Sequence, residues 1–300
     1  MKLTSGDDRD SDLTGVNLLT CHFSRVPGSS NAAINELISG ARQAELLARS
    51  FQKNARLGSA YFISDVEVSS DILKVITAPR PLEHELTLAI IRQFVEFFQS
   101  RADDGKYVVC DPDILLVRAG IEQAFDDSFD IAITRRSDRR MPYNSGVVFV
   151  NNLSPDCGQR FYRLQDKIIA EIFRKEAGWF GDQLVLTEII EKRSTQVSKD
   201  VYVCNGLRIK ILDAAKYNFS PNRDHPYLAP PPRGVVLYHF KGRCRTYMDD
   251  FYQFFVERRF EGIVRLVWLP IKFLVNEWRR KSVKPLFLRA AERVMPSDRK

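Results

Sequence analysis

Apolar and polar positions along the first 110 residues fall into blocks that predict alternating strands and helices. Two short apolar runs, at residues 16–23 and 60–65, predict buried strands. Between them, apolar residues recur at steps of three and four with charged residues in between, which predicts an amphipathic helix. The apolar positions of that helix are Leu37, Ala41, Ala44, Ala48 and Phe51.

A second helical block precedes a strongly apolar strand at residues 107–110. Its apolar face consists of Leu86, Ile90, Phe94, Phe97 and Phe98. Strand, helix, strand, helix and strand in succession imply right-handed crossovers and a largely parallel sheet in this part of the chain. The order of elements therefore predicts an α/β fold.

The second half of the chain is predicted to contain further strands and helices in a less regular order. A strand is expected at residues 129–134, and a turn within residues 141–150 leads into another buried strand. Phe161, Leu164, Ile168 and Ile172 mark a helix. A further helix is expected at residues 184–191, with Asp182 in position to cap it.

The last third of the chain carries a hairpin signal and a proline-rich segment. Asn205-Gly206 between the apolar runs 201–204 and 207–212 predicts a tight hairpin turn. Residues 217–233 contain five prolines and are expected to form a lid, a binding loop or a linker. The final strand, at residues 234–239, ends in His239.

The sequence Asp111-Pro112-Asp113 lies between the apolar runs 107–110 and 114–117. Alternation along an extended chain points two carboxylates at i and i+2 to the same side, and Pro112 restricts the backbone between them. Carboxylates so close repel unless a cation or a shared proton neutralises them. The pair therefore suggests a hard metal ion held by oxygen ligands. The bare pattern is weak, since it also occurs twice within residues 8–12.

Side chains at three strand ends indicate a ligand-binding edge of the sheet. His22, Asp65 and Asp111 each follow or close a predicted parallel strand. Ligands of open α/β sheets bind beyond the carboxyl ends of the strands. We therefore expect these three side chains to lie at one edge of the sheet.

Composition and charge set the broad class. A hydrophobic fraction of 44% and a charged fraction of 28% over 300 residues are typical of a globular enzyme. The five cysteines show no Cys-x-x-Cys pair, which indicates reduced thiols in a cytosolic setting. We find no secretory signal and no run of about 18 apolar residues, so a cytoplasmic location is expected.

Four motifs, in order, resemble those of nucleotide-sugar-dependent glycosyltransferases of the A-type fold, nearest to the retaining glycogenin and lipopolysaccharide galactosyltransferase branch. They are Asp111-Pro112-Asp113, Asn144-Ser145-Gly146, Asp182-Gln183 and His239-x-x-Gly242-x-x-Arg245. The family's last motif usually ends in lysine, so Arg245 is a departure that keeps the positive charge. The resemblance covers residues 16–250 and implies a Rossmann-like mixed sheet flanked by helices.

The resemblance also implies a metal centre and a donor substrate. Asp111, Asp113 and His239 would hold Mn²⁺ or Mg²⁺ on the diphosphate of a UDP-sugar, and an imidazole ligand favours Mn²⁺. Arg245 and Lys241 would bind diphosphate oxygens, and Gly242 would let the backbone approach them. His239 taken alone is more consistent with a structural histidine, and its place after a strand and before a glycine and basic cluster reverses that preference.

Further roles follow from the same resemblance. Asn144 would bind the donor sugar, although it also suits a turn, and Asp182 or Gln183 would stabilise an oxocarbenium-like state in a retaining reaction. In an inverting reaction Asp182 could act as general base, and the sequence leaves both outcomes open. His22 and Asp65 would lie around the nucleoside, or would be loop residues without a ligand.

The C-terminal segment carries the excess charge. Residues 257–300 contain 12 basic and five acidic residues, which accounts for the net charge of +7. The organisation expected is a flexible start (1–15), a transferase domain (16–256) and a basic helical extension (257–300). That extension either packs on the domain or contacts a membrane surface peripherally, which would suit a lipid-linked or cell-envelope glycan acceptor.

The function predicted is transfer of a hexose from a nucleoside diphosphate sugar to a glycan or lipid-linked acceptor. One alternative is a catalytically silent module that binds sugar nucleotides or glycans on the same fold. Nucleic-acid binding through the basic extension is disfavoured, because its aromatic residues lie in apolar runs unlike a stacking groove.

Overall fold

A computed structural model shows a mixed sheet flanked by helices. It describes residues 15–24, 39–101, 105–138, 140–154, 156–176, 180–221, 229–258 and 271. Within these residues the main sheet has nine strands in the order β3-β2-β1-β4-β7-β6-β10-β9-β8, and β5 and β11 form a second, two-stranded sheet. The α/β prediction is confirmed.

Eleven strands and six α-helices make up the described part of the chain. The strands are β1 (Val16–His22), β2 (Leu57–Ser64), β3 (Leu73–Thr77), β4 (Lys106–Cys110), β5 (Ile114–Leu116), β6 (Ile131–Arg135), β7 (Tyr143–Val150), β8 (Thr195–Ser198), β9 (Val201–Cys204), β10 (Leu207–Asp213) and β11 (Leu237–His239). The helices are α1 (Gly40–Asn54), α2 (Leu86–Gln99), α3 (Cys157–Glu171), α4 (Gly181–Thr187), α5 (Ala214–Tyr217) and α6 (Met248–Phe251). Single π-helical turns continue α4 and α6.

The first half of the sheet is parallel, as the alternation of strands and helices predicts. β3, β2, β1 and β4 run in the same direction, whereas β7 is antiparallel to both β4 and β6. The hairpin of β9 and β10 turns at Asn205 and Gly206, whose φ angles of 49° and 74° are those of the predicted turn. β3 was not predicted, and neither was β8, which is exposed along its whole length and lacks apolar alternation.

Two hydrophobic clusters cover the two faces of the main sheet. On one face α2 and α3 pack against β4, with Phe98 in aromatic contact with both Tyr107 and Tyr162. On the other face α1 buries Leu47 and Phe51. Because each helix buries one apolar face against the sheet, the carboxyl ends of β1, β2 and β4 are held at a common edge.

A third cluster fixes the position of His239. Tyr238 of β11 packs on Phe251 of α6, and Leu46 of α1 belongs to the same cluster. β11 pairs with β5 so that His239 lies opposite Ile114, and the Phe240 N–H donates to the Asp113 carbonyl at 2.8 Å. The backbone therefore brings the end of β11 to the Asp-Pro-Asp turn.

Several local expectations need correction or lie outside the described residues. Phe180, with φ of 33°, occupies the N-cap position of α4, so Asp182 lies in the first turn and is not the cap. The five cysteines lie among the described residues and form no disulfide there, as predicted. The basic extension falls almost entirely outside the described residues. Among the residues described, no helix is long and apolar enough to cross a membrane.

Candidate active site

The Asp-Pro-Asp turn and the end of β11 form one cluster of side chains that could hold a metal ion, the candidate metal-ligand cluster. Asp111 follows β4, Asp113 precedes β5 and His239 closes β11. The ligand atoms of these residues all lie within 4.8 Å of one another. His239 Nε2 lies 3.1 Å from Asp113 Oδ1 and 3.5 Å from Asp111 Oδ2. The three predicted metal ligands therefore lie together at the sheet edge.

These distances fit ligands that share one ion. Two ligand atoms about 2.1 Å from an ion, at right angles to each other, lie about 3 Å apart. Asp113 Oδ1 is buried and has no hydrogen-bond partner among the described residues, despite the nearby imidazole nitrogen. A buried carboxylate oxygen without a partner is costly unless a cation meets it. The Asp111 side chain is 53% exposed, so the cluster faces solvent on that side.

Arg245 has a different partner from the one expected. Its Nε donates to Asp113 Oδ2 at 2.6 Å, so this guanidinium directly binds the carboxylate of a predicted metal ligand. Burial alone would raise the pKa of Asp113, but His239 and Arg245 hold it well below its usual range. Asp113 is therefore kept ionised, with one oxygen bound by Arg245 and the other left for a ligand.

Lys241 lies close to the acidic pair, and Arg136 lies near Lys241. Burial, together with the nearby charge of Arg136, lowers the pKa of Lys241 despite the opposing charges of Asp111 and Asp113. Gly242 has a φ of 59°, a left-handed conformation that favours glycine. The cations Lys241, Arg136 and Arg245 form a set suited to phosphate oxygens.

The Asn144-Ser145-Gly146 motif lies within β7, which already begins at Tyr143, and is not a turn before the strand. A Cβ built on Gly146 would lie 2.8 Å from Asp111 Oδ2 and 2.9 Å from His239 Cε1, so a side chain there would displace the candidate metal-ligand cluster. Asn144 is buried, and its Oδ1 accepts the Gly146 N–H at 2.8 Å. Asn144 therefore supports the strand beside the cluster, whereas the resemblance implies a sugar contact.

Asp182 and Gln183 lie at the start of α4 on the same side of the site. Asp182 accepts hydrogen bonds from the Ser145 hydroxyl and the Gln183 N–H. Burial, with a smaller contribution from Asp111, raises the pKa of Asp182 to about 6. Gln183 Oε1 accepts from Arg136 at 2.7 Å, which connects this motif to the cation set.

A cavity of about 90 Å³ lies between the two acidic motifs. Asp111, Ser145 and Asp182 provide polar groups on its wall. The apolar part of the wall includes Ile90, Ile91, Phe94 and Val148. The wall of this cavity therefore combines hydrogen-bonding groups with an apolar surface.

His22 and Asp65 are not part of the candidate metal-ligand cluster. Asp65 accepts the Ser24 N–H at 2.7 Å and the Ser24 hydroxyl, and Arg80 lies 3.8 Å away. The His22 ring packs on Gly40, where an added Cβ would lie 2.0 Å from Cδ2. Both residues do lie at the same strand-end edge as Asp111, as predicted.

Sequence reasoning missed the residues that support the cluster. Asn218 contacts His239, Thr134 contacts Asn218, and Arg136 contacts Gln183. Asn218 and Thr134 carry no motif, and their contacts span 21 and 84 positions. Of these residues, only Arg136 could have been predicted from the sequence, because it lies in a polar, arginine-rich loop directly after a predicted strand.

Comparisons with known proteins give structural likeness without sequence similarity. No family model matches the chain, and no curated protein matches it. A glycosyltransferase involved in glycosylation of the major capsid of PBCV-1 is 15% identical with a TM-score of 0.46, over 79% of this chain and 98% of that one. The glycosyltransferase GlyE of Streptococcus pneumoniae TIGR4 is 14% identical with a TM-score of 0.48, over 89% of this chain and 64% of that one.

A third structure is the galactosyltransferase LgtC in complex with donor and acceptor sugar analogs. It is 10% identical with a TM-score of 0.45, over 81% of this chain and 95% of that one. These likenesses concern the path of the chain. We therefore infer function from the side chains of the site.

Proposed function

We propose that this chain is a metal-dependent glycosyltransferase. It would move a hexose from a nucleoside diphosphate sugar, UDP in the first instance, to a glycan or lipid-linked acceptor. The observation that carries the proposal is the meeting of Asp111, Asp113 and His239 within 4.8 Å beside a set of cations. Carboxylates, an imidazole and cations together suit a metal-bound diphosphate.

The metal ligands and the cations have separate tasks in this proposal. When bound, Mn²⁺ or Mg²⁺ supplies Lewis-acid neutralisation of the diphosphate leaving group. Asp113 is held ionised by Arg245, and Asp111 is exposed to the side from which a nucleotide would enter. Lys241 and Arg136 would contact phosphate oxygens, because charge-assisted hydrogen bonds are strong where water is partly excluded.

The sugar would lie in the cavity between Asp111 and Asp182. A sugar attached to a diphosphate at Asp111 would place its hydroxyls near Ser145 and Asp182. Asp182 would then bind hydroxyls or stabilise positive charge at the anomeric carbon, with Gln183 beside it. Retention of configuration at that carbon is the outcome that the resemblance implies.

A thermal-shift screen with purified full-length protein tests the proposal. UDP-, GDP- and CDP-sugars are added with and without Mn²⁺, because a ligand that binds only the native state must raise the melting temperature. At a concentration 100 times Kd the stabilisation is about 2.7 kcal/mol. We expect a shift with a nucleotide sugar only when the metal is present.

Release of free sugar from the stabilising donor completes the test. We expect slow, Mn²⁺-dependent hydrolysis that is abolished by chelation and by the substitution Asp113→Asn. Stabilisation without hydrolysis would favour the silent binding module. No shift with any nucleotide sugar, with or without metal, would overturn the proposal.

A further inference from the structure

The side chain of His239 has a buried neighbour on the face away from the carboxylates. Its Nδ1 lies 2.8 Å from Asn218 Oδ1, and Asn218 Nδ2 donates to Thr134 Oγ1 at 3.0 Å. Thr134 and Asn218 are 0% and 4% exposed, so water does not replace these bonds. The three side chains form a chain of hydrogen bonds that ends at the imidazole.

The direction of these hydrogen bonds can be assigned from their ends. The carbonyl of Asn144 can only accept, so the Thr134 hydroxyl donates to it at 3.4 Å and accepts from the Asn218 amide nitrogen. The amide oxygen of Asn218 then faces His239 and can only accept a hydrogen bond, so His239 Nδ1 must carry the proton and donate it. In a neutral imidazole the other nitrogen, Nε2, is left with a lone pair.

The opposite edge of the imidazole faces the carboxylates. Nε2 lies 3.1 Å from Asp113 Oδ1, the oxygen of Asp113 that Arg245 does not bind. In the neutral ring with its proton on Nδ1, His239 Nε2 and Asp113 Oδ1 both carry lone pairs that point toward the same position. A cation at that position could be bound by both atoms.

The backbone holds Asn218 against His239. Asn218 follows α5, and its N–H donates to the Ala214 carbonyl at 2.9 Å. The next residue, Phe219, donates to Leu237 and accepts from the His239 N–H at 2.7 Å. Because the backbone segments are hydrogen-bonded, the amide cannot move away from the imidazole without breaking the junction of α5 and β11.

We propose that Asn218, itself oriented by Thr134, is a positioning residue that fixes the Nδ1–H tautomer of His239 and aims Nε2 at the metal site. The inference rests on the proposed function for the identity of the ligand at Nε2. Groups that orient a metal-ligating histidine contribute about 10–100-fold to metal affinity. Asn218 therefore prevents rotation and tautomer change of His239 and keeps Nε2 available as a metal ligand.

The first experiment needs no metal. Long-range ¹H–¹⁵N NMR of the imidazole rings in metal-free, full-length protein at mildly alkaline pH reports which nitrogen of each ring carries a proton. The chain has four histidines. The signal that is missing from the spectrum of His239→Gln is assigned to His239. We expect His239 to carry its proton on Nδ1, and Asn218→Ala to give a mixture. A proton on Nε2 in the wild-type protein would overturn the proposal.

The second experiment measures Mn²⁺ affinity by isothermal titration and by loss of the free-ion EPR signal. We expect Asn218→Ala to weaken Mn²⁺ binding by about 10–100-fold, and Thr134→Val to weaken it less. Asn218→Asp keeps an acceptor for the Nδ1 proton and should retain binding. Asn151→Ala is the matched control, since Asn151 is also buried and its side-chain amide also makes two hydrogen bonds, here both as donor.

The outcomes separate this inference from the proposed function. Asn218→Ala within twofold of wild-type Mn²⁺ affinity would overturn the positioning role, as would equal losses in Asn218→Ala and Asn151→Ala. Absence of Mn²⁺ binding by the wild type would count against the proposed function, while the NMR measurement would still decide the tautomer. If Asn218→Ala does not fold, Thr134→Val and Asn218→Asp carry the same comparison.

Discussion

Two groups of side chains at the same edge of the sheet have opposite surroundings. At the ends of β1 and β2, Asp65 is bonded by Ser24 and the His22 ring packs on Gly40. At the ends of β4 and β11, neighbours bind one oxygen of Asp113 and one nitrogen of His239 and leave the second atom of each facing the other. Position at a strand end is therefore insufficient for a metal site, since the neighbours decide which lone pairs remain.

The sharpest test of this comparison removes the charge of Asp113. Asp113→Asn should reduce Mn²⁺ affinity by more than about 100-fold, because a buried ligand is lost and Arg245 is left beside an uncharged amide. Isothermal titration of Mn²⁺ measures the effect. Asp130→Asn is a matched control, since Asp130 is a buried carboxylate paired with Arg208 at 3.3 Å. Equal Mn²⁺ affinities in the two variants would contradict the account.

A methyl group beside the cluster should have the next largest effect. Gly146→Ala places a Cβ against Asp111 and His239, so Mn²⁺ affinity should fall by about tenfold, or about 1.4 kcal/mol. Gly158→Ala is the steric control, because its Cβ would meet Phe98 at 2.8 Å, within the other cluster of the sheet. Gly158→Ala should lower the free energy of unfolding and leave Mn²⁺ affinity unchanged. A loss of Mn²⁺ affinity in Gly158→Ala but not in Gly146→Ala would contradict the placement of Gly146 beside Asp111 and His239.

Substitutions in the group at the ends of β1 and β2 should lower stability without changing Mn²⁺ affinity. Asp65→Ala removes a charged hydrogen-bond acceptor of Ser24, which should lower the free energy of unfolding by about 1–3 kcal/mol. Chemical unfolding measures this loss. Mn²⁺ affinity should stay within twofold of wild type, and a tenfold loss would show that the two groups act as one site. Titration with UDP then tests the predicted nucleoside contact separately.

The smallest effect expected is a pH dependence from Asp182. Its pKa is raised to about 6, chiefly by burial, so its contribution to stability is fully present below the unfolded pKa of 3.8 and is lost as pH rises through 6. The stability of the metal-free wild type relative to Asp182→Asn should therefore fall by on the order of 1 kcal/mol between pH 4 and pH 7. A constant difference over this range would contradict the raised pKa.

The sequence predicted what depends on local pattern. Apolar periodicity identified α2 and β4, and Asn205-Gly206 identified the hairpin, because each signal lies within a few neighbouring positions. The three candidate metal ligands were predicted because Asp111 and Asp113 lie two positions apart and occur in a recognisable order with His239. Their distances could be known only from the structure.

The residues that the sequence did not reveal act through long-range contacts. The pairing of Arg245 with Asp113 spans 132 positions, and that of Thr134 with Asn218 spans 84. Asp182 was expected to cap a helix, but the left-handed conformation of Phe180 starts α4 earlier. Such contacts follow from the assembled sheet, so no local rule indicates them.

The central claim is that Asp111, Asp113 and His239 hold a divalent cation that in turn binds a nucleoside diphosphate. The most direct test is titration of Mn²⁺, monitored by EPR, in the presence and absence of UDP. The account predicts that UDP strengthens Mn²⁺ binding by at least about fivefold, that Mn²⁺ strengthens UDP binding by the same factor, and that His239→Ala abolishes the coupling. Mn²⁺ binding that is absent, or that is unaffected by UDP, would contradict it.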